Sequence, residues 1–251
     1  MTPPLGIQLY TLRNQLAENF EPVIRRVAEI GYAGVEFGGV YGESPAAAKK
    51  LCDELGLEIF STHTPTPMME NLTLAVDTAN VLGVKRVVCA WIPPERFATI
   101  DSIKAACEEL NTANQVFRGN DMELLYHNHW AEGYVVDGKY VYQHMIDFLD
   151  PTVNLEYDVY WAKTSGVDPA AALRELGKRA PLLHIKDGPA TMDGDMTAVG
   201  DGTVDIAAIA QASKDTAEWW IVELARCAID MMEAVAKSYT YITQQGFAHG
   251  R

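Results

Sequence analysis

The chain has 251 residues, and 48% of them are hydrophobic, enough apolar mass for a sizeable core and too much for a disordered chain. Its 34 acidic residues against 20 basic ones give a formal charge of −14, which excludes a surface built for nucleic-acid phosphates or anionic lipid and points to a small-molecule ligand. No stretch approaches the ~18 apolar residues of a membrane helix, and no basic-then-apolar leader follows Met1. Cys52, Cys89, Cys107 and Cys227 form no CxxC pair and no disulfide framework, so reduced thiols and a cytoplasmic location are expected.

Taken in order, Gly6-Ile7-Gln8-Leu9-Tyr10 reads as a first strand. Apolar residues at Phe20, Val23, Ile24, Val27 and Ile30 mark one face of a helix that Gly31 ends. Gly34-Val35-Glu36-Phe37 is a second strand. Ser44 as cap and Pro45 in the first turn open a helix that Gly56 stops. The alternation continues with a strand over 57–62 leading to His63, a helix over 68–82 stopped by Gly83, and a strand over 86–90. A helix over 101–115 with Asp101 as its N-cap follows, then a strand over 123–127 and a helix over 139–149 broken by Asp150-Pro151. A strand over 153–158, a helix opened by Asp168-Pro169 and a strand over 182–186 come next. A helix over 205–213, a strand over 219–223 and a helix over 229–245 complete the chain.

Strands alternating with helices imply a parallel sheet. Eight such units in this length fit a single (β/α)8 TIM barrel, α/β in class, as one domain over residues 1–251. An open doubly wound sheet would carry a Gly-rich turn after its first strand, and Thr11-Leu12-Arg13-Asn14 stands there instead.

A barrel of this kind carries its site at the C-terminal ends of the strands. Tyr10, Glu36, His63, Trp91, His127, Asp158, His184, Lys186 and Glu223 fall at or just past those ends, and Glu132 lies in the loop after the fifth. Twenty-six residues separate Glu132 from Asp158 and again Asp158 from His184, and 39 separate His184 from Glu223. These four residues are expected to converge on one divalent metal ion. Three carboxylates and an imidazole make a hard, oxygen-rich set that suits Mn²⁺ best, with Mg²⁺, Co²⁺ or Zn²⁺ as alternatives. Strand alternation turns Lys186 inward with His184, and places Glu156 inward with Asp158 but one layer deeper, where it needs a partner. His127 and His129 are further site candidates. Trp91, Trp130 and Trp161 pack or offer platforms for a sugar face. His144 and His249 read as surface residues. Residues 200–205, Gly-Asp-Gly-Thr-Val-Asp, read as a loop with a helix cap at Thr203 or Asp205 in preference to a phosphate cradle.

Several of these segments together resemble the sugar phosphate isomerase/epimerase superfamily, the xylose isomerase-like barrels. They are Gly6-Ile7-Gln8-Leu9-Tyr10-Thr11-Leu12-Arg13, Gly31-Tyr32-Ala33-Gly34-Val35-Glu36, Ser61-Thr62-His63, Tyr126-His127-Asn128-His129 with Glu132, Asp158 with Trp161, His184-Ile185-Lys186-Asp187, and Glu223. The resemblance spans nearly the whole chain. It implies a metal, commonly Mn²⁺, held by Glu132, Asp158, His184 and Glu223, with the two glutamates as acid and base on opposite faces of the substrate. Relatives with the Tyr-His-Asn-His signature are expected to carry an Asp two residues after the last Glu, where this chain has Ala225.

The expected activity is a metal-dependent sugar or keto-sugar isomerase or epimerase, abstracting a proton through a metal-stabilised enediolate. Glu132 and Glu223 are the acid/base pair, with His127, His129 and Lys186 orienting hydroxyls or moving protons. Glu36, His63, Trp91 and Trp161 are expected around the substrate. Expulsion of a β-leaving group would instead make a lyase, a dehydratase of an inosose or 3-keto-glycoside or a deglycosidase. Ala225 keeps a third reading open, a non-catalytic sugar-binding or partner subunit. The partner is then a small carbohydrate, with homo-oligomers common in such barrels. The endonuclease IV branch is set aside, because six histidines and the acidic charge do not suit a trinuclear zinc cluster on DNA.

Overall fold

The computed structural model describes residues 2–64 and 71–251. Eight parallel strands close into a barrel: β1 Leu5–Gln8, β2 Gly34–Phe37, β3 Glu58–Thr64, β4 Arg86–Cys89, β5 Glu123–His127, β6 Asn154–Asp158, β7 Leu182–Ile185 and β8 Trp219–Val222. Closure is made by β1, which pairs with β2 on one side and with β8 on the other. Helices connect the strands on the outside, so the fold is the (β/α)8 barrel that the alternation predicts.

Local chemistry accounts for most of the helix ends. Helix α1 spans Arg13–Glu18, and α2, Phe20–Ile30, ends on Gly31 in a left-handed conformation. Helix α3, Pro45–Leu55, starts with Ser44 Oγ accepting the Ala47 N–H at 3.2 Å. The described part of the next helix, α4, is Leu72–Leu82; the expected start at Met68 lies outside the described residues. Helix α5 is longer than expected, Ile100–Gly119, and its cap is Thr99, not Asp101. Thr99 Oγ1 accepts the Ser102 N–H at 3.2 Å and Ser102 Oγ accepts the Thr99 N–H at 3.0 Å, a reciprocal pair that leaves Asp101 inside the first turn.

Three local features depart from the expectation. The chain leaves β1 at Gln8, because Gln8 Oε1 accepts the Tyr10 N–H at 2.9 Å and closes a 3₁₀ turn over Leu9–Leu12. Lys139–Tyr140 joins Val135–Val136 in a two-stranded hairpin, with Asp137 and Gly138 at positive φ in its turn, so helix α6 is only Val141–Phe148. A short helix, α7, Val159–Thr164, follows β6 directly, since Asp158 Oδ1 accepts the Trp161 N–H at 2.8 Å. Helices α8 Pro169–Leu176, α9 Ile206–Ser213 and α10 Met231–Gln244 each begin on an aspartate cap, Asp168, Asp205 and Asp230. His144 is not a surface residue: it is buried, with Nε2 2.8 Å from Val136 O beneath the hairpin, whereas His249 is exposed.

The barrel interior is layered. Phe60, Val88, Leu125, Leu182, Trp219 and Ile221 form an apolar plug, with Phe60 and Trp219 stacked at 4.1 Å. Alternation then carries His184 on β7 and Asp158 on β6 inward, with Glu223 just past β8, while Leu183, Ile185 and Tyr157 join the core under the helices. The four cysteines are free, and burial pushes the thiols of Cys52, Cys89 and Cys107 up to about 12. Among the described residues no helix is long and apolar enough to cross a membrane.

Candidate active site

Above the plug, at the C-terminal ends of the strands, the barrel is filled by buried charge. Two overlapping groups share His184: Glu36, His63, Glu156 and His184, and above them His127, Asp158, His184 and Glu223, each offering ligand atoms within 4.8 Å of one another. Three of the four expected ligands, Asp158, His184 and Glu223, therefore converge. Glu132 lies outside both groups: Tyr126 Oη donates to its Oε1, and the His129 N–H donates to its Oε2 at 3.0 Å. His127 is the fourth member of the upper group.

The lower group is a lattice of imidazoles and carboxylates. His63 Nε2 lies 2.7 Å from Glu156 Oε2 and 3.1 Å from Glu36 Oε2. His184 Nε2 lies 2.9 Å from Glu36 Oε2 and 3.1 Å from Glu156 Oε2. Glu36 is further fixed by Gln8 Nε2, which donates to Oε2 at 2.7 Å, and by Ser61 Oγ, which donates to Oε1 at 2.6 Å. Glu36 is fully buried and is not part of the pocket wall, unlike His63, Trp91 and Trp161. Glu156 sits one layer below Asp158 and finds its partners in these histidines, with its other oxygen buried and unbonded.

In the upper group the Lys186 ammonium stands between two carboxylates, 2.8 Å from Asp158 Oδ2 and 2.5 Å from Glu223 Oε2. His184 Nδ1 is 2.8 Å from the same Glu223 oxygen. Burial works against the charged form of Lys186, but Asp158 and Glu223 outweigh it and hold its pKa above the ordinary range. Burial also works against the charged form of Glu223, and the nearby Lys186 and His184 more than offset it, keeping the carboxylate ionised. Glu36 is held low in the same way by His63 and His184. His63 is desolvated, yet Glu36 and Glu156 raise it to about 10. Burial dominates at His129, pushed down to about 3, and at His127, so both rings are neutral near pH 7. Burial raises Glu132 to about 7.

Lys186, Glu223, His63, His127 and His129 open onto a pocket of about 430 Å³ whose other walls are Tyr10, Gly38, Gly39, Thr64, Ala90, Trp91, Trp161 and Ala225. Trp130 bridges the aromatic side, with ring centres 5.4 Å from Trp91 and 5.2 Å from Trp161. Ala225, where an aspartate was expected, leaves only a methyl group on the wall.

The donor set suits a divalent ion. His127 Nδ1, 3.3 Å from Glu156 Oε2, is buried without a hydrogen bond in the group with Asp158, His184 and Glu223, and in the lower group the other Glu156 oxygen is likewise buried and unbonded. Hard oxygen with imidazole nitrogen is the set that Mn²⁺, Zn²⁺ and their neighbours take.

Asp187, adjacent to this centre, answers the question posed by residues 200–205. Its carboxylate accepts the N–H groups of Gly188, Gly200, Gly202 and Val204 at 2.8, 3.0, 3.1 and 3.0 Å. A Cβ on Gly202 would lie 2.0 Å from Asp187 Oδ1, so only glycine fits. The loop is an anion cradle, and the anion is the protein's own. The pairing of an acid in one strand end with glycines over a dozen positions later has no local signature.

Fold and site together define a parallel β/α barrel with an acid and histidine centre at the C-terminal ends of its strands. The chain belongs to the xylose isomerase-like TIM barrel family, which it matches over residues 24–239. It is 25% identical to an inosose dehydratase of Geobacillus kaustophilus over 264 aligned positions, covering 88% of this chain and 83% of that one. Among solved structures, a sugar phosphate isomerase/epimerase from Parabacteroides distasonis is 27% identical with a TM-score of 0.85, covering 99% of this chain and 96% of that one. The IolI protein, solved with a bound zinc atom, shares the fold at 15% identity and a TM-score of 0.77, covering 96% of this chain and 97% of that one.

Proposed function

We propose that this protein is a metal-dependent isomerase or epimerase of a sugar or keto-sugar, removing a proton from the carbon beside the carbonyl and returning it elsewhere. The observation that carries this reading is the placement of Glu223 and Lys186: a pocket-lining carboxylate 2.5 Å from a buried ammonium, over a group of ligand atoms. His127, Asp158, His184 and Glu223 would hold a divalent ion, which when bound supplies Lewis-acid polarisation of a substrate carbonyl. The family membership and the zinc in IolI support a metal here.

Glu223, kept ionised by Lys186 and His184, is the base that takes the proton. Lys186 keeps its ammonium beside the oxygen that gains charge as the proton leaves, and can hold or return a proton there. The neutral ring of His129 orients substrate hydroxyls. Glu132, poised at about 7, has both oxygens committed to Tyr126 and the His129 amide, so its part in proton transfer runs through those partners.

A second reading, a dehydratase, is favoured by Lys186 itself. After Glu223 takes the α-proton, the ammonium can give a proton to a β-hydroxyl, which leaves with the carbon–oxygen electron pair as water. The inosose dehydratase relative supports this arm. Proton NMR in D₂O with ketoses and with inosose separates the two readings. Deuterium at the α-carbon with the skeleton kept supports the isomerase, loss of water supports the dehydratase, and neither outcome on any of these substrates refutes the proposal.

A further inference from the structure

Barrels that bind phosphate commonly seat it on backbone N–H groups of the loops after the seventh and eighth strands, beside a helix N-terminus. In this chain several of those donors are already taken. The Asp187 carboxylate accepts four N–H groups of the loop after β7, including Gly188 at 2.8 Å and Val204 at 3.0 Å. After β8 the Leu224 N–H donates to Thr11 Oγ1 at 3.0 Å, the Ala225 N–H faces Met196 Sδ at 3.3 Å and the Ala228 N–H donates to Met196 O at 2.9 Å. The helices that follow, α9 and α10, start on Asp205 and Asp230, whose carboxylates accept the Ala208 and Glu233 N–H groups at 2.9 Å each. Negative charge therefore stands where a phosphate would gain most from the helix dipole.

Three cations near this rim, Arg13, Arg226 and Lys186, are also committed. Arg13 donates to Tyr10 O at 2.9 Å and Ala225 O at 2.7 Å and lies 4.2 Å over the Tyr10 ring. Arg226 donates to Met192 O at 2.6 Å and to Gly194 O at 3.1 Å, and Lys186 is paired with Asp158 and Glu223. Residues 65–70, outside the described structure, include no lysine or arginine. The opposite wall is aromatic, Trp91 and Trp161 with Trp130 between them. Such rings stack on the apolar C–H face of a sugar and offer little to a phosphate. Pocket-lining His129 keeps a buried Nδ1 without a hydrogen-bond partner.

We infer that the substrate is an uncharged keto-sugar or cyclitol ketone, stacked on Trp91 and Trp161 and held through its hydroxyls, and that sugar phosphates are excluded. The keto group rests on the α-proton reading above; the exclusion of phosphate does not. The test is binding to the full chain, by saturation-transfer NMR and tryptophan fluorescence, of D-fructose against D-fructose 6-phosphate and of D-ribulose against D-ribulose 5-phosphate, with inorganic phosphate as competitor. Each neutral sugar is expected to bind at least about tenfold more tightly than its ester, without competition by phosphate. Trp91→Ala, at a half-buried position, and Trp161→Ala should each weaken the neutral sugars about tenfold. An ester that binds as well as its parent, competition by inorganic phosphate, neutral binding untouched in Trp91→Ala, or no binding of either neutral sugar overturns the inference. Deuterium exchange is read in the same samples. Neutral sugars that bind without exchange count against the proton-transfer reading alone, and exchange confined to the esters counts against the substrate class alone.

Discussion

The Nε2 atom of His184 lies 2.9 Å from Oε2 of Glu36, a residue 148 positions earlier in the chain, while its Nδ1 faces Glu223 at 2.8 Å. A histidine that gives one ring N–H to a carboxylate has the other nitrogen oriented for a metal. Glu36→Gln disturbs this, since both Glu36 oxygens already accept hydrogen bonds, from Gln8 and Ser61, and an amide NH₂ must face one of those donors. The variant is expected to fold, to lose about 1–3 kcal/mol of stability, and to bind Mn²⁺ or Zn²⁺ about 10–100-fold more weakly. Calorimetric titration of both proteins checks this, and equal affinities would count against the orienting role.

Glu223→Gln keeps the shape of the side chain and removes its charge. Turnover should fall by about 10²–10⁴-fold if Glu223 is the base. Far-UV circular dichroism should remain that of the barrel. Full activity in a folded Glu223→Gln protein would falsify the assignment.

Glu132 makes stability depend on pH. Its folded value of about 7 stands above the usual 4.5 because the carboxyl is buried. The protonated form is thus favoured by folding. That contribution is fully present below pH 4.5 and is lost as pH rises through about 7. Over this window the wild-type chain should lose on the order of 3 kcal/mol relative to Glu132→Gln, which does not titrate. Urea unfolding of both proteins between pH 4.5 and 8 measures the difference, and parallel curves would show that Glu132 titrates normally.

Asp187→Ala leaves four backbone N–H groups without their acceptor. The expected cost is about 3 kcal/mol or more, seen as a lower thermal midpoint. Amide exchange should quicken at Gly200, Gly202 and Val204. Unchanged exchange at these amides would mean that the loop is held by other contacts.

Much of the fold was legible because its determinants are local. The apolar spacing from Phe20 to Ile30 and the caps at Ser44, Asp168 and Asp205 act within a turn of chain, and the elements they predict are present. Strand alternation likewise places Glu156 below Asp158, where His63 is its partner. The hairpin ahead of α6 was also written in the chain, as Asp137-Gly138, but its strands are only two residues long and carry too little periodicity to stand out from a helix start. Helix α7 carries no separate signal in the sequence, because its cap, Asp158, is equally a ligand candidate at a strand end.

The site divides in the same way. Acids and histidines at consecutive strand ends mark the rim from sequence alone, since a period of two decides which side chains enter the barrel. Which of them meet is not local. Glu132 stands six residues from Tyr126 and is drawn to its hydroxyl, while His127 joins Asp158, His184 and Glu223. Lys186 takes its place between Asp158 and Glu223, and Asp187 takes the glycine cradle. The sequence by itself determined the barrel, its polar rim and the kinds of group gathered there, because these follow from periodicity and capping within each unit. Only the tertiary structure decided the pairing of those groups, because closure of β1 onto β8 sets the register between strands, and register is fixed by packing across the whole barrel.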